Sequence, residues 1–408
     1  MKAVQFNLTI PRYAAGLALR RLSPEILWSG LSCTRLNEIT PPGLPGLDWV
    51  RIRTTFGGIC GTDMGTIGLH TSPYYSPFSA FPFTLGHEIV GRVVETGPAV
   101  GGWEPGDRVV VDPLLWCGPR GFSDRCEFCA RGQINRCTRI TEGVLAAGLM
   151  TGTCRDTGGG WSPELVAHHS QLYRIPDTVS DENALLIEPF AVGLHAALAG
   201  GPADVETVLI LGAGTIGLTT LAALRALGSE ARILVLARYE FQAEAAARLG
   251  ATEVLNTRAG DAYDWVASQT GGRVRRPVIG KRVVSGGAHL TFECVGSDSA
   301  IDDALRLTRD GGRMVLAGLP GIARGIDWTA LFAQELTVIA ARNHTNAEQW
   351  NGRRWKAFDL AIHLIETGRV DLSWMLTHRY RLDDFKTALR AAAGRGRSEM
   401  IKGVFNFN

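Results

Sequence analysis

Val208-Leu-Ile-Leu-Gly212-Ala-Gly214-Thr-Ile-Gly217 decides the fold of this 408-residue chain. Four apolar residues in a row read as a strand buried on both faces, and the G-x-G-x-x-G that follows opens into a helix pattern. Gly212 permits the tight turn, Gly214 lets the backbone approach a pyrophosphate, and Gly217 lets the helix pack closely on the strand. Ile216 starts that helix, whose free N–H groups and partial positive charge face the phosphates, and Thr215 and Ile216 are candidate cofactor contacts. The spacing predicts a dinucleotide turn.

The surrounding pattern agrees. Strands are expected over 208–211, 233–236, 290–295, 313–317 and 336–340, with helices over 190–199, 216–227, 241–249 and 300–307. Such alternation argues an α/β class with a doubly wound parallel sheet, a Rossmann domain. The end of its second strand selects the cofactor. A carboxylate there would hold the ribose 2′-OH of NAD. This chain instead reads Ala237-Arg238-Tyr239. The missing carboxylate removes repulsion against a 2′-phosphate, and Arg238 offers a planar charged fork for it. NADP is therefore expected over NAD, with Arg238 and Tyr239 as candidate contacts. A basic loop over 273–282 carries five cations and no acid. It precedes a strand and so sits at the amino edge of the sheet, away from the cofactor end, and reads as a solvated insertion or a subunit contact.

Outside this domain the texture differs. The first 190 residues hold short apolar runs, with strands over 50–53, 89–94 and 108–111, and 1–12 alternates like a further strand. Past residue 343 come an amphipathic helix over 355–366 and strands at 378–380 and 401–405, with no place in the parallel sheet. They are expected to complete the first domain. The domains are then 1–189 with 344–408, mostly β, and 190–343, the Rossmann unit.

Composition excludes several classes. With 42 basic and 40 acidic side chains, the net charge of +2 gives no reason to expect a nucleic-acid or membrane partner. No signal peptide or membrane span is expected. Eight cysteines are too sparse for an exported disulfide scaffold. Four of them fall between Cys117 and Cys137, which reads as metal binding in a reducing compartment, hence a cytoplasmic protein.

Three segments supply further metal donors: Gly57-Gly-Ile-Cys60-Gly-Thr62-Asp63, Leu85-Gly86-His87-Glu88, and Ile187-Glu188-Pro189. Thiolate, imidazole and carboxylate all suit zinc, and a catalytic zinc needs three protein ligands and an open position. Taken with the glycine turn and Gly106-Asp-Arg-Val109, these motifs resemble the zinc-dependent medium-chain dehydrogenase/reductase family, the sorbitol and threonine dehydrogenase-like group in particular.

The resemblance implies a GroES-like catalytic domain and hydride transfer between NADP(H) and a secondary alcohol, a polyol or the carbonyl product. It implies that Cys60 and His87 bind catalytic zinc, that Glu188 is the third ligand directly or through water, and that Glu88 stands behind the metal and can swap onto it. Thr62 would hydrogen-bond the substrate oxygen and Asp63 would orient His87. A homodimer or homotetramer is also implied. Two alternatives are a relative with other zinc-assisted carbonyl chemistry and a catalytically silent NADPH-binding protein.

Two positions depart from the family pattern. A relay histidine five residues after the zinc cysteine is replaced by Gly65, with His70 nearby. The structural-zinc pattern C-x2-C-x2-C-x7-C is matched only by Cys126, Cys129 and Cys137; its first position is Ser123. Cys117, six residues earlier, would have to close the site through an expanded loop; otherwise the lobe holds only reduced thiols. Tyr74, Tyr75, Phe78, Phe81, Phe83 and Trp116 are candidates for an apolar substrate pocket or for packing.

Overall fold

The strand Trp49–Ile59 is alternately and then continuously buried, and it organises the first unit. It pairs antiparallel with Ile89–Thr96, Glu164–His168 and Lys402–Asn406. Arg108–Val111 and Leu172–Arg174 extend the sheet on one side, and Leu376–Tyr380 extends it on the other. A second, three-stranded sheet joins Thr34–Glu38, Lys2–Phe6 and Phe83–Thr84. Phe6, Ile59, Ile67, Phe83, Trp161 and Phe405 share one apolar core.

The computed structural model describes residues 1–201 and 205–408. Contacts divide the chain into two compact units: Met1–Glu188 with Thr345–Ala347 and Phe358–Asn408, and Pro189–His344 with Glu348–Ala357. The chain thus crosses back in two steps. The hairpin Glu348–Trp350 and Arg353–Trp355 stays with the second unit, tied to it by the Trp350 indole N–H donating to the Leu227 carbonyl at 3.3 Å.

The second unit is a six-stranded parallel sheet. Its order is Glu253–Asn256, Arg232–Ala237, Thr207–Leu211, Ala288–Glu293, Thr308–Leu316, Thr337–Ala340. This is the doubly wound order with its reversal beside the glycine turn. Val208, Leu209 and Ile210 are fully buried, as their apolar run requires. The sequence reading passed over the strand Glu253–Asn256 and the helix Ala262–Thr270, whose apolar positions are short and mixed with charge. The 1–12 segment corrects another expectation: the strand stops at Phe6 and a helix runs Ile10–Leu19, with Pro11 in the first turn where its fixed φ is favourable. Among the described residues no helix is long and apolar enough to cross a membrane.

Candidate active site

Cys60 lies where the strand Trp49–Ile59 ends and the helix Gly61–Ile67 begins. Its N–H donates to the Asp63 carboxylate at 2.9 Å, and the other Asp63 oxygen stands 3.5 Å from His87 Nδ1. One buried aspartate therefore ties together the two donors expected from distant segments. With Nδ1 turned to Asp63, His87 presents Nε2 outward, 3.4 Å from the Thr62 hydroxyl. This carboxylate–histidine arrangement fixes the ring for metal binding. Burial disfavours a charged His87, but the charges and hydrogen bonds of Asp63 and Cys60 outweigh it and hold its pKa well above the ordinary value.

Trp161 braces both arms. Its indole N–H donates to the Gly58 carbonyl at 2.8 Å, two residues before Cys60. The same ring lies against Gly86, where φ is +91° and a Cβ would fall 2.3 Å from Trp161 Cδ1. Only glycine fits both the backbone and the space immediately before His87.

Donor atoms of Cys60, His87 and Glu88 lie within 4.8 Å of one another. Glu88 and Lys402 are both 1% exposed and form an ion pair, and the Lys402 ammonium also donates to the Ile59 carbonyl at 3.4 Å. Glu188 is buried at the start of the helix Ile187–Gly200, but this close donor group does not include it. The structure thus gathers Cys60, His87, Glu88 and Thr62, with Glu88 rather than Glu188 as the near carboxylate.

Gly65 leaves its side of the helix to Thr71, whose hydroxyl is 3.2 Å from that of Thr66. His70 is exposed and packs over Gly68, at the other end of the helix from Thr62. Arg20 donates to the Gly68 and Leu69 carbonyls at 2.8 and 3.4 Å, so the helix Ile10–Leu19 backs the helix that carries Thr62. Phe81 and Phe83 stack with Phe6 in the core, and Trp116 packs under Arg125, whereas Tyr74 is exposed.

A second cluster lies in the same unit. Cys117, Cys126, Cys129 and Cys137 are all buried, with their sulfurs within 4.8 Å of one another. Cys117 and Cys137 sulfurs are 3.7 Å apart, and the Cys126 N–H donates to the Cys117 sulfur at 3.4 Å. A hydrogen bond from Cys129 holds the Cys137 thiol below its ordinary pKa. Four converging buried sulfurs fit a closed tetrahedral metal site, and Cys60, His87 and a carboxylate fit an open one.

In the second unit, Gly214 caps the helix Thr215–Ala226, placing Thr215 and Ile216 in its first turn. A Cβ on Gly217 would lie 1.8 Å from the Gly212 carbonyl oxygen, so the turn holds the cradle a pyrophosphate requires. Arg238 is exposed, and its guanidinium carbon lies 5.7 Å from the Tyr239 ring centroid. Arg258 lies at the same distance from that ring. Parallel pairing of Ala237 with Asn256 brings the two arginines together, and the Asn256 amide donates to Glu240, the nearby acid, at 2.9 Å. Arg258 escaped the sequence reading because its placement depends on register between neighbouring strands. In the basic loop, Lys281 pairs with Asp302 and Asp303, and Arg282 with Asp261 and Asp264.

Residues 46–177 match the family described as alcohol dehydrogenase GroES-like domain, and 215–356 match zinc-binding dehydrogenase. Sorbitol dehydrogenase of Bacillus subtilis (strain 168) is 29% identical over 353 residues, covering 85% of this chain and 86% of that protein. L-threonine 3-dehydrogenase of Shewanella woodyi is 30% identical over 343 residues, covering 84% and 87%. A zinc-binding dehydrogenase of Sinorhizobium meliloti 1021, solved bound to NADP, superposes with a TM-score of 0.69 at 26% identity over 91% of this chain and 95% of that one.

Proposed function

This chain belongs to the zinc-dependent medium-chain dehydrogenase family, and we propose that, as an alcohol dehydrogenase, it moves a hydride between NADP(H) and a secondary alcohol, a polyol or the carbonyl product. The observation that carries this reading is the convergence of Cys60, His87 and Glu88 beside Thr62, in a chain that also holds the glycine turn. The unit made of 1–188, 345–347 and 358–408 acts as the catalytic unit, and 189–344 with 348–357 binds the dinucleotide.

A zinc held by Cys60, His87 and a carboxylate supplies Lewis acidity toward the substrate oxygen, and NADP supplies the hydride acceptor. The protein does the positioning. Asp63 keeps Nε2 of His87 as the free ring nitrogen. The Thr62 hydroxyl, beside that nitrogen, holds the substrate hydroxyl and takes its proton. With Gly65 in place of a relay histidine, the proton leaves Thr62 to water or to the cofactor ribose. Lys402 holds the Glu88 carboxylate in its buried place. Glu188 serves as a further carboxylate ligand, directly or through water.

The preference for NADP rests on the absence of an acid at Ala237 and on Arg238 and Arg258 at one aromatic ring. The closed four-cysteine lobe takes a second, structural zinc. Self-association to a dimer or tetramer is favoured by the exposed edge strand Thr337–Ala340 beside Trp328 and Phe332, which are 54% and 87% exposed.

A panel of secondary alcohols, polyols and ketones with both cofactors, followed by nicotinamide absorbance, tests the reaction class. Arg238→Ala and Arg258→Ala should each weaken NADPH binding about 10- to 100-fold, the range for a charge-assisted hydrogen bond, and leave NADH within about two-fold. Equal effects on both cofactors overturn the assignment.

A further inference from the structure

Arg120 is the least explained charge in the molecule. It lies in the expanded stretch between Cys117 and Cys126 and has no exposed surface. All five of its N–H donors end on main-chain carbonyls. Nε donates to Leu115 at 3.0 Å, Nη1 to Glu142 and Leu145 at 2.7 and 3.3 Å, and Nη2 to Ala146 and Gly148 at 3.3 and 2.7 Å. Among the described residues no carboxylate comes within 4.0 Å of it. Its donors are satisfied but its charge is not. Carbonyl dipoles do not cancel a unit charge, and a buried ion without a counter-charge is strongly unfavourable.

Burial lowers the Arg120 pKa, and the groups that oppose this are the sulfurs of Cys154, Cys137 and Cys117 and the carboxylate of Asp156. Asp156, which accepts the Ala146 N–H at 2.6 Å, keeps its charge but is not within ion-pair distance of the guanidinium and acts on it only from farther away. Neutral thiols would leave the guanidinium poorly balanced. Four thiolates around one divalent ion carry a net charge of about −2, and such an anion buried in the same lobe is itself in need of a cation. Each charge is thus the missing partner of the other. The same five hydrogen bonds tie the 142–148 segment to Leu115, two residues before Cys117. Arg120 therefore also fixes the backbone of the one cysteine that lies outside the usual spacing.

We propose that Arg120 is the internal counter-ion of a tetrathiolate metal site and the residue that lets Cys117, from its displaced position, complete that site. The inference rests on reading the four-cysteine lobe as a metal site, and a metal count of the untreated enzyme tests that reading separately. About two zincs per chain, falling to about one in Cys129→Ser, upholds it. About one zinc in both removes it, and with it the role of Arg120.

The role is tested by the rate at which the lobe zinc passes to a chromogenic chelator from folded enzyme. Arg120→Lys keeps the charge and loses the planar fork; Arg120→Gln keeps some hydrogen bonding and loses the charge. Zinc release should be about 100-fold faster in Arg120→Gln than in the native chain, and within about ten-fold of native in Arg120→Lys. The cobalt-substituted lobe should keep its sulfur-to-metal charge-transfer band in the lysine variant and lose intensity in the glutamine variant. A residue that merely staples the loop would give the opposite order or equal rates, since lysine loses the fork as well; either result overturns the proposal. Should the glutamine variant be recovered only unfolded while the lysine variant folds with its zinc, the charge is upheld. If neither folds, Arg120 is a structural staple and the proposal falls.

Discussion

The two cysteine clusters of the first unit use the same sulfur chemistry in opposite ways. At Cys60 three unlike donors meet, the cysteine is only half-buried, and the Thr62 hydroxyl faces the free histidine nitrogen. In the lobe four like donors meet and all are buried, and the Cys117 sulfur also accepts the Cys126 N–H. A set with a vacant direction can take a substrate oxygen, whereas a closed set can only hold the chain together. Their compensating charges differ as well. The open site carries its own carboxylate and a buried lysine, Glu88 and Lys402, whereas the buried arginine of the lobe has no carboxylate in ion-pair distance among the described residues.

The largest test of this contrast exchanges one cysteine in each cluster. Cys60→Ser should lower turnover by at least about 10³-fold, since Lewis-acid assistance is worth several kcal/mol at 1.36 kcal/mol per factor of ten. Its melting temperature should move by no more than a few degrees. Cys129→Ser should instead lower the melting temperature by about 5–10 °C, as expected for a loss of roughly 3 kcal/mol in a unit of this size. Steady-state turnover, metal content and thermal melts on both variants read this out. If both lose activity and stability to the same degree, the division between an open and a closed site is wrong.

The next test, on stability alone, falls at Lys402. Lys402→Met strands a carboxylate at a position 1% exposed, a change that typically costs about 3–5 kcal/mol. Adding Glu88→Gln should recover most of that loss in denaturant unfolding. A single variant that costs under about 1 kcal/mol would mean the pair is well solvated. The smallest effect belongs to Arg20. Arg20→Ala removes two bonds to the end of the Thr62 helix, one of them long, worth about 1–2 kcal/mol together. It should change kcat or KM by a few-fold and leave the lobe metal untouched.

The legible parts of this molecule were those encoded by neighbours in sequence. The run from Val208 to Gly217 announces its strand, turn and helix because each residue acts within a few positions of itself. Gly58-Ile-Cys60-Gly-Thr-Asp63 is equally local, since Asp63 caps the turn that begins at Cys60. What escaped reading depends on pairing across the chain. Arg258 reaches Tyr239 through strand register, Trp161 reaches Gly58 and Gly86 through packing, and Arg20 reaches Gly68 from the end of the helix Ile10–Leu19. The four-cysteine lobe falls between these cases. Its last three cysteines keep a familiar spacing, and only folding of the long loop shows that Cys117 joins them.

That contrast also bears on the order in which the molecule is made. Lys402 contacts the Ile59 carbonyl across 343 residues of chain. At about 5–20 residues per second, a ribosome spends roughly 20–70 s between the two. The four lobe cysteines all emerge within a single short segment, so that cluster is complete early in translation. Cys60, His87 and Glu88 also emerge early, but throughout this interval the Glu88 carboxylate lacks the lysine that permits its burial. The Cys60–His87–Glu88 group is therefore finished late, after the strand Lys402–Asn406 docks against Trp49–Ile59.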